Sequence, residues 1–108
     1  MTVCEQLTQM KLHGKRMGQI GNGKQNTMRL GDKNVALGAF RFVATEDRTQ
    51  TIDVVVTMVV KKRFVNLDMV DAYGGGYTCR HAMMAELMNI YPEVKPEDTV
   101  TIVWFDAI

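Results

Sequence analysis

The densest run of apolar positions lies between Ile52 and Val60, where Val54, Val56, Met58 and Val60 alternate with Asp53, Val55, Thr57 and Val59. β-Branched residues dominate and both alternating sets are largely apolar. This predicts an inner strand over residues 51–65, covered on both faces by its own chain, or on one face by the chain and on the other by a second copy in a homodimer. Past Val60 the character changes, and Lys61-Lys62-Arg63 carry the strand into solvent. Residues 35–44 read as a second strand, with Phe40 and Phe42 on one face and Arg41 and Val43 on the other. Residues 27–30 read as a short strand that follows the polar, glycine-rich segment 21–26. Val100, Ile102 and Trp104 alternate in a last strand over residues 99–105.

Two stretches carry a helical period. Thr2-Val3-Cys4-Glu5 has the form of a capping box, and Val3, Leu7, Met10, Gly14 and Met17 recur at three-and-four spacing. A first helix is therefore expected over about residues 3–18, with Lys11 and Lys15 one turn apart on its solvent side and Gly18, Gly21 and Gly23 ending it. A second helix is expected over about residues 79–91, capped by Thr78, with Met83, Leu87, Ile90 and Tyr91 on one stripe and Pro92 as its stop. Residues 66–73 read as a helical turn at most, and Gly74-Gly75-Gly76 reads as a flexible loop.

The order α-(β)-β-β-α-β implies an α+β fold, with two helices packed on a mainly antiparallel sheet of three to four strands. A crossover through the second helix leads us to expect the last strand parallel to a neighbour inside the sheet. A chain of 108 residues suits a single domain, 1–108, able to bury a core without disulfides or metals.

Composition agrees, since 46% hydrophobic and 23% charged residues exclude collagenous and wholly disordered readings. Cys4 and Cys79 read as reduced thiols of an intracellular protein. No secretory signal is visible and no apolar stretch approaches the ~20 residues of a membrane span, so a cytoplasmic protein without a membrane partner is expected.

Candidate chemistry narrows the field further. Cys4, His13, Cys79 and His81 add up to four zinc-type ligands, but on a first helix Cys4 and His13 would project to opposite sides, so no metal is expected. Cys79 at a helix start is read as a small packed residue rather than an activated thiol. Serine is absent and neither histidine has an adjacent acidic partner. Gly74-Gly75-Gly76-Tyr77-Thr78 lacks the Lys-Ser/Thr pair of a P-loop. No catalytic residue or cofactor is expected, and the chain reads as a non-enzyme.

Charge then supplies a candidate surface. The net charge is only +1. The first 34 residues nevertheless carry Lys11, Lys15, Arg16, Lys24, Arg29 and Lys33 against Glu5 and Asp32, whereas residues 81–108 carry Lys95 against five acids. Lys11, Lys15, Arg16, Lys24 and Arg29, together with Lys61, Lys62 and Arg63, are the candidate contacts for nucleic-acid phosphate or a partner protein. Ordinary solvation, and protection of a strand end against aggregation, are the structural alternatives for the same residues.

The helix–strands–helix order and the stretch from Gly74 to Ala82 resemble the double-stranded RNA-binding domain, whose second helix opens on a glycine turn, a hydroxyl residue and basic residues. Cys79 and Met83 stand here where that family has basic residues. The stretch from Glu5 to Met17 resembles the first helix of transposition helper ATPases, although no nucleotide-binding motif follows it. Each likeness spans one short segment.

The function expected from the residues is a small binding or regulatory protein acting on nucleic acid or a nucleoprotein complex. The alternative is a protein-only inhibitor or adaptor of the phage or mobile-element type, directed at a host protein complex.

Overall fold

A computed structural model describes residues 6–20 and 23–108. The capping box at Thr2–Glu5, Cys4, and Gly21 and Asn22 lie outside the described residues. Five strands form one mixed sheet: β1 (Gln9–Leu12), β2 (Asn26–Leu30), β3 (Gly38–Ala44), β4 (Thr51–Arg63) and β5 (Thr99–Ala107). Three α-helices accompany them: α1 (Gly14–Met17), α2 (Met69–Gly74) and α3 (Arg80–Ile90). The α+β class holds, with more strands and helices than the sequence suggested.

In space the strands run β1-β3-β4-β5-β2. β4 is an inner strand between β3 and β5, and every pairing except β1 with β3 is antiparallel. This corrects the expected parallel last strand, because β5 runs opposite to both of its neighbours.

The expected first helix is also corrected. Residues 9–12 form a strand that buries Met10 and Leu12 and exposes Gln9 and Lys11, and the helix is confined to the single turn from Gly14 to Met17. Parallel pairing with β3 decides this: Arg41 N donates to Thr8 O at 3.0 Å and Thr45 N to Leu12 O at 3.0 Å. Lys11 and Lys15 therefore do not share a helix face, and the likeness to a helper-ATPase helix does not extend to its conformation. The double-stranded RNA-binding likeness loses its opening helix for the same reason.

A bulge in β4 splits its alternation. Val56 pairs with Phe105 and Met58 with Trp104, which leaves Thr57 as the extra residue. Val54, Val56 and Val59 consequently face one core with Phe40, Phe42, Val103 and Phe105, whereas Val60 turns to the other. Val55 and Met58 stay 40% and 48% exposed, so the described residues cover only one side of this part of the strand.

The first core fills the inside of the curled sheet, and the second lies between its outer face and helices α2 and α3, where Met28, Leu67, Met83, Leu87 and Ile102 meet. β5 is buried on both faces because it contributes to both cores. α2 starts on a capping box between Asp68 and Asp71, and α3 is capped by Cys79, whose Sγ accepts from Ala82 N at 3.4 Å. Cys79, not Thr78, is thus the N-cap, and its thiol has a structural task.

β1 and β2 are the two edges of the sheet, yet Arg29 on β2 donates from Nη2 to the carbonyl oxygen of Lys11 on β1 at 2.6 Å. The sheet therefore curls until its edges nearly meet, and the gap between them is where the cavity described next opens.

Candidate functional site

The chain reaches the gap at the end of β1. His13 leaves the strand with extended backbone and caps α1, its Nδ1 accepting from Lys15 N at 3.3 Å. This turn places Lys15 and Arg16 at the mouth and buries Met17. Across the gap Lys24 enters β2, its backbone bridged to Gly75, and Gln25 N donates to Gly74 O at 2.5 Å. The glycine run is therefore packed against β2 rather than a loose connection. Gly74 closes α2, and a Cβ there would overlap the indole of Trp104.

The resulting cavity measures about 510 Å³. Lys11, Leu12, His13, Lys15 and Arg16 form one wall, Lys24 to Arg29 without Gln25 form the floor, and Tyr77, Glu86, Leu87, Ile90 and Tyr91 form the other wall. Among the described residues, five cations line it against one carboxylate, that of Glu86. Glu86 forms an ion pair with Arg16, which also donates from Nη1 to the Tyr77 hydroxyl at 2.9 Å.

Lys24 and Arg29 set the electrostatics. Lys24 is 2% exposed, and its Nζ has one weak acceptor, Gly75 O at 3.4 Å. Burial pushes its pKa down from 10.5 to about 7, and the charges of Arg16 and then Arg29 push the same way. Arg29 spends its guanidinium on neutral oxygens: Thr27 Oγ1 and Met28 O, each at 2.9 Å, and Lys11 O. Burial lowers its pKa too, a drop that Tyr91 opposes, Arg16 reinforces and Tyr77 opposes. Neither cation has a carboxylate among these partners, so among the described residues Lys24 and Arg29 lack a counter-ion of their own. Such a site favours an incoming anion.

In the floor itself, Asn26 is fully buried, with Nδ2 donating to Asp71 O at 3.1 Å and Oδ1 without a hydrogen-bond donor among the described residues.

Of the eight cations singled out from the sequence, Lys11, Lys15, Arg16, Lys24 and Arg29 converge on this cavity. Lys61, Lys62 and Arg63 do not. Lys61 pairs with Asp32, Lys62 pairs with Asp71 and Asp68, and Arg63 lies exposed at the end of β4. Sequence reasoning missed Thr27, Tyr77, Glu86 and Tyr91. Tyr91, on the stripe expected for helix 2, does pack in part against the second core but also reaches the cavity, and nothing in the spacing of Glu86 sets it apart from a solvated helix position.

No family model and no curated protein matches the chain. Solved structures do. The fold is similar to that of an ASCH domain from Lactobacillus crispatus JV V101, with a TM-score of 0.74 at 13% identity over 94% of this chain and 79% of that one. It is also similar to a protein from Enterococcus faecalis V583 described by the family model DUF984, with a TM-score of 0.58 at 18% identity over 86% of this chain and 67% of that one. At these identities the likeness concerns the fold.

Proposed function

We propose that the cavity binds the phosphate backbone of a nucleic acid, and that the protein is a binding module rather than an enzyme. The observation that carries this reading is the buried Lys24 beside the half-buried Arg29, two basic groups in one cleft whose partners are neutral oxygens. An isolated buried cation is costly, and a phosphate is the ligand chemistry that would offset that cost with charge-assisted hydrogen bonds. Lys11 and Lys15 at the mouth extend the same field outwards, beside Arg16, whose charge is shared with Glu86. The ASCH-like fold is in keeping with this assignment without specifying it.

The test is retention of labelled RNA and DNA oligonucleotides between about 50 and 200 mM salt. Affinity should fall steeply with salt, and the slope should be shallower for Lys15→Ala with Arg16→Ala. Absence of binding to either polymer at the lowest salt would overturn the reading and leave an acidic protein surface as the ligand, in line with the inhibitor alternative.

A second reading is favoured by Lys24 alone. An amine with a pKa of about 7, in a cleft also lined by Thr27 and Glu86, is suited to take up a proton from a bound ligand. Turnover of a bound nucleotide that disappears in Lys24→Arg, while binding persists, would favour catalysis over simple binding.

A further inference from the structure

The central cavity shares walls with two other concavities. On one side a recess of about 190 Å³ shares Lys15, Arg16, Tyr77 and Glu86 with it. On the other, a shallow shelf of about 510 Å³ shares Ile90 and Tyr91 and is completed by Leu30, Pro92, Val94 and the exposed Glu93 at its rim. Side by side, these concavities lead from a cationic entrance, past the buried Lys24 and the half-buried Arg29, to a mainly apolar shelf with Glu93 at its rim.

We propose that this row of concavities takes a single strand of nucleic acid, with one nucleotide seated in the cavity and the base of its neighbour lying on the Tyr91 shelf. The inference rests on the phosphate reading above and adds the strandedness of the ligand.

Geometry argues for it in two ways. A duplex presents its phosphates on a stiff convex surface with its bases stacked inside, so its phosphates cannot descend to an ammonium that is 2% exposed at the bottom of a cleft. A single strand is flexible enough to turn one nucleotide inwards. The shelf, moreover, offers what an unpaired base needs. Tyr91 is held at the end of α3, where its N–H donates to Leu87 O at 2.8 Å and Pro92 stops the helix. Ile90 beside it is 50% exposed, an apolar side chain that the fold leaves uncovered. An aromatic platform next to a cationic groove is the arrangement by which single strands are held without reading their sequence. Tyr91 lines both the cavity and the shelf, and packs in part against the core beneath α3.

The experiment compares labelled 12-nucleotide single strands with the corresponding blunt duplexes, by anisotropy, using wild-type protein, Tyr91→Phe and Tyr91→Leu. The expected result is at least tenfold tighter binding of single strands. Tyr91→Leu should weaken it roughly 5- to 100-fold with an unchanged salt slope, and Tyr91→Phe should stay within about twofold of wild type. The comparison of the two ligand forms needs no variant, so a poorly folded Tyr91→Leu cannot mask the outcome. Equal affinity for single strand and duplex would overturn this inference while leaving the phosphate reading intact; failure of both forms to bind would overturn both.

Discussion

The Nζ of Lys62 lies 2.9 Å from Oδ2 of Asp71, a carboxylate that is almost completely buried, and 3.4 Å from Oδ2 of Asp68. That pair ties the end of β4 to the first turn of α2. The same Asp71 oxygen also accepts from Asp68 N at 3.0 Å, completing the capping box, and Lys62 has its pKa raised chiefly by its hydrogen bond to Asp71. The triplet Lys61-Lys62-Arg63 is thus a structural clasp in its middle member. Replacing all three by alanine should lower unfolding stability by about 1–3 kcal/mol, because Asp71 loses its cation while staying buried. Urea titration measures that loss. The salt slope of nucleic-acid binding should not change, since none of the three lines the cavity.

Lys24 should make the free protein less stable as pH falls. Its folded pKa, about 7, lies below the ordinary 10.5, so between these values the unfolded chain holds a proton that the folded chain does not. Stability from this group is complete above pH 10.5 and is lost as pH falls towards 7, at about 1.4 kcal/mol per pH unit. Lys24→Met removes that slope. At pH 7 the variant should be more stable than the parent by about 1–4 kcal/mol, a gain that shrinks as pH is raised, while binding of oligonucleotide is lost. Thermal unfolding at pH 6.5, 8 and 9.5 provides the check.

Ligand affinity should respond to pH in the opposite sense. A phosphate beside Lys24 favours its charged form and raises its pKa, so binding above pH 7 takes up a proton. Affinity is expected to weaken progressively from pH 7 to 9. Lys24→Arg, which stays charged throughout, should flatten the profile even if its overall affinity differs. Anisotropy titrations at fixed ionic strength across this range distinguish the two behaviours.

Gly74→Ala tests the packing under the site. The added Cβ would run into the Trp104 indole and lie 2.6 Å from Asn26 Nδ2, both rigid neighbours. A loss of about 1–3 kcal/mol is expected, as for overpacking of a well-filled core. Because Gln25 N bonds to Gly74 O, the shift should also move Lys24 and weaken binding. Chemical denaturation together with an oligonucleotide titration of the same variant reads both effects.

Local pattern alone determined a good part of this protein. The β-branched run placed β4 inside the sheet, alternation located β3 and β5, the polar glycine-rich segment before residue 27 marked the start of β2, and the Met83–Leu87 stripe with Pro92 located α3. Clustering of basic residues between Lys11 and Arg29 singled out five cations that line one cavity. Tertiary contacts decided the rest. Met10 and Met17 fit a helical stripe as well as they fit a core, and only pairing with β3, more than twenty residues away in sequence, made residues 9–12 a strand. Whether a lysine is a solvated charge or half of an ion pair depends on what folds against it. Lys24 and Lys62 look alike in the sequence, yet one is buried without a carboxylate and the other is clasped to Asp71. That difference arises from the curl of the sheet and the docking of α2, which bring together residues that no short-range period connects.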